Sequence, residues 1–376
     1  VSQNGGTSQA SGAGARIGIE AHGIGDRPTG VGTYVYKLVE ALGRVAPREP
    51  LVLYRNTTDG PHLPFPTRYV PPSPLWTTAR LPLHFALHGA PPVMLFPGHS
   101  HSLYCPGRSA VTIHDLAFEL FPDHFTAADR LRLRLTTRNG VRRADRLIAV
   151  SEATKRDVVE RMGADPDRVT VVHHGVDHAV FRPSTAGEVD AVRARHGLHR
   201  PYVLAVGTLQ RRKNHATLIR AVHILRGRGV DVELVLSGAG GWLFDETRRL
   251  VDELGMGEAV RFLGYVPLDE LPALYAGASA AALLSLYEGF GLPVLEAMAC
   301  GVPMLVSDTS SLPEVGGDAV LKVPPTDLDA VVSALDRLLH DDALRADLSA
   351  RGIRRTAGFT WEATARGTLS ILRDLL

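Results

Sequence analysis

Short, continuous apolar runs recur along the chain, separated in most places by stretches with helical periodicity. The runs are Arg16–Ala21, Leu51–Arg55, Val93–Pro97, Ala110–Ile113, Arg146–Val150 and Val169–His173, then Tyr202–Val206, Val232–Leu236, Val260–Leu263, Ala281–Leu286, Met304–Val306 and Val320–Val323. Runs this short, without polar alternation, suit strands buried on both faces, as in a parallel sheet. Apolar positions at helical spacing fill intervals such as Thr33–Arg44, Ala128–Ala144, Glu152–Met162 and Asn214–Arg228. The alternation predicts an α/β fold. So many strands exceed one ordinary open sheet and suit two doubly wound, Rossmann-like halves.

The stretch from His174 to Ser184 follows a strand and holds Gly175 and Pro183, which marks a boundary between the halves near 178. A second break near Gly358 precedes Thr360, a candidate cap for a last helix ending near Leu376. The expected division is 1–15 as a disordered leader, 16–178 plus 360–376 as one domain, and 179–359 as the other. The proline-rich interval 61–92 is expected to be loop and extended chain.

Composition narrows the function. A chain of 376 residues with 45% hydrophobic and 22% charged residues is ordinary for a globular protein with more than one core. A net charge of +1 predicts no general affinity for nucleic acid. Cys105 and Cys300 form neither a disulfide framework nor a zinc pattern, which predicts a reducing, cytoplasmic setting. No apolar run is long enough for a membrane span. Lysine is scarce beside arginine, so Lys213 in Arg211-Arg212-Lys213 reads as a specific choice, with codon bias the alternative.

Leu286-Tyr-Glu-Gly-Phe-Gly-Leu-Pro-Val-Leu-Glu-Ala-Met-Ala-Cys-Gly301 reads as strand end, glycine turn and helix. Pro293 suits a first helical turn. A glycine turn entering a helix offers free N–H groups to a phosphate. Glu288 stands at the mouth of that turn, and Glu296 follows on the helix. Two solvated glutamates are the plain alternative. The segment resembles the E-x7-E signature of retaining glycosyltransferases of family 4, which have the GT-B architecture. The resemblance implies two Rossmann-like domains facing a cleft, with the C-terminal helix crossing back to the N-terminal domain. It implies that Glu288 contacts the transferred sugar, that Gly289, Phe290, Gly291 and Leu292 bind sugar and diphosphate, and that Glu296 holds the ribose.

Other segments extend that resemblance. Val206-Gly-Thr-Leu-Gln-Arg-Arg-Lys-Asn-His215 follows the first strand of the C-terminal half, where α/β folds bind ligands. Thr208 stands where the family usually has Arg, so the arginine role moves to Arg212 beside Lys213; the two would stabilise the leaving phosphate. A solvated basic helix start is the alternative. In Val111-Thr-Ile-His-Asp-Leu116 the resemblance makes His114 a donor-sugar contact and Asp115 a group near the acceptor. Gly30 and Gly32 would let the backbone approach a diphosphate or an acceptor. Gly238, Tyr265 and Val266 occupy positions that line the nucleobase pocket in the family. Ser151 reads as a helix cap, and Glu314 as either an acidic group near base and ribose or a structural cap. Asp165/Asp167 and Asp327/Asp329 read as caps or turns, and His99 with His101 lacks a ligand set, so no metal is expected.

Arg130, Arg134, Arg138, Arg142 and Arg146 recur every fourth residue, a repulsive spacing on one helix. A membrane surface, a phosphate-bearing acceptor or acidic side chains could cover the Arg130–Arg146 segment; a solvated face is the alternative.

The resemblance implies a metal-independent, retaining hexosyltransferase. Its donor is a nucleotide-diphosphate sugar, and its acceptor is a carbohydrate, glycolipid or natural product. The resembling subgroup includes bacterial mannosyltransferases. It is expected in the cytoplasm, with peripheral contact at the inner membrane face if lipid covers the arginine helix. Front-face transfer and a covalent intermediate both remain open. A GT-B nucleotide-sugar epimerase, a phosphorylase and a non-catalytic sugar-nucleotide-binding protein are the alternatives.

Overall fold

A computed structural model describes residues 14–24, 30–238, 240 and 244–376. The expected leader lies outside the described residues apart from Gly14 and Ala15, as do Pro28, Thr29 and Ala239. The N-terminal half carries strands β1 Ile17–Glu20, β2 Leu51–Arg55, β3 Thr67–Tyr69, β4 Val93–Phe96, β5 Arg108–Ile113, β6 Arg146–Ala149 and β7 Val169–Val171. Its helices are α1 Gly30–Val45, α2 Leu81–His88, α3 Ala117–Leu120, α4 Ala127–Arg143 and α5 Glu152–Met162. The C-terminal half carries β8 Tyr202–Val206, β9 Glu233–Ser237, β10 Val260–Gly264, β11 Ala280–Leu283, β12 Met304–Ser307 and β13 Leu321–Val323. Its helices are α6 Ala186–His196, α7 His215–Gly227, α8 Phe244–Glu253, α9 Leu271–Ala276, α10 Leu292–Ala299, α11 Leu312–Gly316, α12 Leu328–His340 and α13 Asp342–Thr356; α14 Trp361–Arg373 ends the chain.

The strands form two sheets, of seven strands in the order β3-β2-β1-β4-β5-β6-β7 and six in the order β10-β9-β8-β11-β12-β13. Every pairing is parallel. The order reverses beside β1 in the first sheet and beside β8 in the second, so the loops leaving those strands open a crevice at each switch point.

The proline-rich interval departs from expectation. It holds β3, a π-helical turn at Trp76–Arg80, and α2. Pro66 precedes an edge strand, where a missing N–H costs no ladder bond, and its carbonyl accepts from Leu53 N–H. Pro82 sits in the first turn of α2, where it fits without loss. β11 ends at Leu283, short of the expected Leu286. Leu286 N–H leaves the sheet to donate to Arg212 O at 2.7 Å.

α14 returns to the N-terminal half. Thr360 caps it, accepting from Ala363 N–H at 3.1 Å. Trp361, Ala365, Leu369 and Leu372 enter the same core as Ile17, Ile19, Leu38 and Leu42. Each large side chain so buried contributes about 1.5–3 kcal/mol. The two crossings run side by side: Val176 N–H donates to Phe359 O at 3.0 Å, and Val176 pairs with Thr360 in a parallel bridge.

Candidate functional site

The 285–291 segment leaves the C-terminal edge of β11 and enters α10. Glu288 is its centre and is 7% exposed. Its Oε1 lies 2.6 Å from Lys213 Nζ and accepts from Ser285 Oγ at 2.6 Å; its Oε2 accepts from Arg212 Nη1 at 3.0 Å. Burial pushes this carboxyl up, but the Lys213 and Arg212 charges outweigh it and hold it at about 2. Arg212 Nη1 also donates to Tyr287 O at 3.1 Å.

Arg212 and Lys213 were expected at a helix start. They occupy a 3-10 turn, Arg211–Lys213, and α7 begins only at His215. Asn214, at φ 53°, reverses the chain between them and anchors by donating to Pro325 O at 2.6 Å. The turn aims both cations at Glu288.

Glu296 lies two turns away in sequence, on α10. Its Oε2 accepts from Tyr275 Oη at 3.2 Å. Burial raises it to about 7; the Tyr275 bond and the Lys213 charge only partly offset this. Glu288 and Glu296 are therefore shifted in opposite directions although both feel Lys213. α10 has Gly291 at its N-cap, at φ 105°, with no side chain bonded to its leading N–H groups.

From the N-terminal half, β5 delivers His114. Its Nε2–H donates to Pro97 O at 2.7 Å. Burial, then the charge of His99, lowers His114 to about 4. A neutral ring with Nε2 protonated leaves Nδ1 as an acceptor. His114 packs between His99 and His174, at 5.6 Å from each, with Tyr34 edge-on at 4.8 Å. Gly289 meets this wall, since a Cβ there would overlap the His114 carbonyl oxygen. The neighbouring Asp115 accepts from Ala117 N–H at 2.9 Å, which commits one oxygen to the start of α3.

The remaining candidates divide. Gly238, at φ 150°, sits so close to the Gly207 carbonyl that a Cβ would overlap it, so the ends of β8 and β9 meet as backbone. Thr208 is exposed beside them. Val266 packs into the C-terminal core and Tyr265 stands 77% exposed. Gly30 and Gly32, expected in a turn before the helix, lie inside the first turn of α1. A Cβ on Gly30 would meet open space, so no neighbouring protein atom requires glycine there. Leu292 and Phe290 flank Gly291, with Phe290 buried against His174 at 4.9 Å. Glu314 is a cap, reaching the N-terminal half to accept from Glu152 N–H at 2.9 Å.

Several partners carried no sequence signal. Ser285, Tyr275 and Ser310 act through spacing that only the fold creates; Ser310 Oγ accepts from Glu288 N–H at 3.0 Å. Where α4 and the Arg211–Lys213 turn face each other, a crevice of about 320 Å³ is lined by Phe125, Thr126, Asp129, Leu133 and Arg212. Among the described residues no group of three or more His, Cys, Asp or Glu is placed to hold a metal ion.

This arrangement has known counterparts. Residues 189–355 match the family described as Glycosyl transferases group 1, and residues 28–180 match Glycosyltransferase Family 4. The O-antigen chain mannosyltransferase B of Escherichia coli is 32% identical over 282 residues, 74% of each chain. A D-inositol 3-phosphate glycosyltransferase of Salinispora arenicola is 38% identical over 246 residues, 61% of this chain but only 55% of that protein. The sucrose-phosphate synthase structure from Thermosynechococcus elongatus has a TM-score of 0.76 at 24% identity, covering 96% of this chain and 98% of that one. Anabaena HepE in complex with UDP and glucose has a TM-score of 0.77 at 18% identity, covering 96% and 99%. Two parallel-sheet halves, the joined crossovers and these relatives agree, and the chain belongs to the family 4 glycosyltransferases of GT-B architecture.

Proposed function

We propose that this glycosyltransferase moves a hexose, with retention and without a metal, from a nucleotide-diphosphate sugar to a carbohydrate, glycolipid or natural-product acceptor. The observation that carries the reading is the Lys213–Glu288–Arg212 cluster beside the uncapped start of α10. A diphosphate leaving group needs positive charge and N–H donors, and both converge here. The bond from the anomeric carbon to the phosphate oxygen breaks while the acceptor oxygen bonds that carbon. The acceptor proton passes to the departing phosphate on the same face. Both Glu288 oxygens are engaged by Lys213, Ser285 and Arg212, which favours an orienting carboxylate over a free nucleophile. His114 Nδ1 accepts from a sugar hydroxyl, and Glu296 takes the ribose.

The name of the E. coli relative, a mannosyltransferase, supports a mannosyl-type donor. Peripheral contact with an anionic lipid surface is part of the proposal. Leu131 and Leu135 are exposed on α4, whose Arg138 and Arg142 are also exposed, while Arg134 is neutralised by Glu119 at 2.8 Å. No helix of the described residues is long and apolar enough to cross a membrane.

A thermal-shift panel of UDP-, GDP- and TDP-sugars identifies the donor, and the anomeric coupling of the product tests retention. Glu288→Gln and Lys213→Ala are expected to abolish transfer; wild-type rates in both would refute the assignment.

A further inference from the structure

The sugar-holding segment is gripped from the opposite half of the molecule. The Gly289 carbonyl accepts from Ser151 Oγ at 2.7 Å and Thr154 Oγ1 at 3.1 Å, both fully buried in the first turn of α5. Tyr287 Oη donates to Asp157 Oδ2 at 2.8 Å, on the next turn of α5, and accepts from Leu116 N–H at 3.2 Å. The Glu314 carboxylate, on α11, accepts from Glu152 N–H at 2.9 and 3.0 Å, from Ala153 N–H at 3.4 Å, and from His173 Nε2–H at 2.7 Å.

α11 and the segment are bonded to each other. Ser311 Oγ, at the start of α11, donates to Glu288 O at 2.9 Å and to Phe290 O at 2.7 Å. Residues 287–290 and α11 therefore form one unit, and that unit docks on one end of α5. The leading N–H groups of a helix need acceptors. Those of α5 are met inside the half by Ser151, its own cap, and from across the cleft by Glu314. The first α5 turn offers hydroxyl donors where the segment has a carbonyl, and N–H donors where α11 has a carboxylate. Shape agrees, since Gly289 abuts the His114 carbonyl without room for a side chain.

We propose that Glu314 and Asp157 are positioning residues for sugar transfer, docking the 287–290 segment onto the start of α5 so that Glu288 meets the donor sugar in register. This rests on the reading of Glu288 and Gly289 as sugar contacts. Neither Glu314 nor Asp157 touches the reacting atoms. They act through the segment, so their loss weakens the transfer step more than the grip on the nucleotide, which the C-terminal half provides.

The test compares kcat, donor KM and the calorimetric Kd for the free nucleoside diphosphate in the full chain. With a wild type that transfers sugar, Glu314→Ala and Asp157→Ala are expected to lose about tenfold or more in kcat, the scale of a removed charge-assisted bond. Nucleotide Kd should stay within about twofold. Asp157→Asn keeps an acceptor for Tyr287 and should recover most of kcat, and Glu314→Gln part of it. Unchanged or raised kcat in the alanine variants overturns the proposal, as does a fall matched by the nucleotide Kd. Should the alanine variants fail to fold, Thr154→Val decides by the same split: selective kcat loss supports the proposal and wild-type kcat overturns it. A wild type inactive with every donor would instead sink the transfer reading itself.

Discussion

Lys213 Nζ lies 2.6 Å from Glu288 Oε1, although the two residues belong to different strand-end loops. Arg212 holds the other oxygen at 3.0 Å, so one buried carboxylate is the counter-ion of both cations. On the proposed reading, an incoming diphosphate shares those cations with Glu288. Glu288→Gln frees them, and the free nucleoside diphosphate should bind about tenfold more tightly while transfer falls. Calorimetry on the variant checks this; weaker binding would show that Glu288 does not compete for the cations.

Removing Lys213 has a different cost. Lys213→Ala strands a buried carboxylate with Arg212 alone, and should destabilise the fold by about 3 kcal/mol. A urea titration at neutral pH measures it. Since burial drives Glu288 upward once Lys213 is gone, the loss should shrink at pH values where the carboxyl is protonated.

Buried histidines predict acid sensitivity. His114 and His215 are each lowered from 6.5 to about 4, mainly by burial, and His99 and His174 are lowered for the same reason. Between about 6.5 and 4 the unfolded chain binds more protons than the native one. Stability on this account is complete above pH 6.5 and is lost as pH falls through about 4. Melting temperatures across this window should drop, and His215→Asn should flatten the slope. The Glu288 cluster contributes only lower down, its stability being lost as pH falls from 4.5 through about 2.

Glu296 has the opposite sign. Its carboxyl is raised from 4.5 to about 7, so the stability it contributes is complete below pH 4.5 and lost as pH rises through about 7. Glu296→Gln should remove that fall. If the carboxylate form takes the ribose, nucleotide affinity should rise from pH 6 to 8 in the wild type and stay level in the variant. A level wild-type profile would take Glu296 out of nucleotide recognition.

Leu131 and Leu135, both exposed on α4, give a check on lipid contact. Replacing both with Asp, together with Arg138→Glu and Arg142→Glu, should abolish sedimentation with anionic vesicles and leave transfer to a soluble acceptor unchanged. Equal sedimentation of variant and wild type would leave the arginines as a solvated face.

The chain's local order was legible from the residues alone, because it depends on neighbours. Buried parallel strands need short apolar runs, and the helices between them need helical spacing. The alternation from Ile17 to Val323 therefore announced two doubly wound halves, and Glu288, Lys213 and His114 stood out at strand ends. The interval 61–92 misled, because prolines tolerated at an edge strand and in a first helical turn look like loop when their partners are unseen. Only the tertiary structure decided which distant groups meet. The order β8-β11 brings Lys213 to Glu288, and closure of the halves brings Glu314 to Glu152 and Ser151 to Gly289. No periodicity encodes such pairs. Their geometry follows from sheet order and from how two cores seat against each other, and with it come the downward shifts of Glu288 and His114 and the upward shift of Glu296.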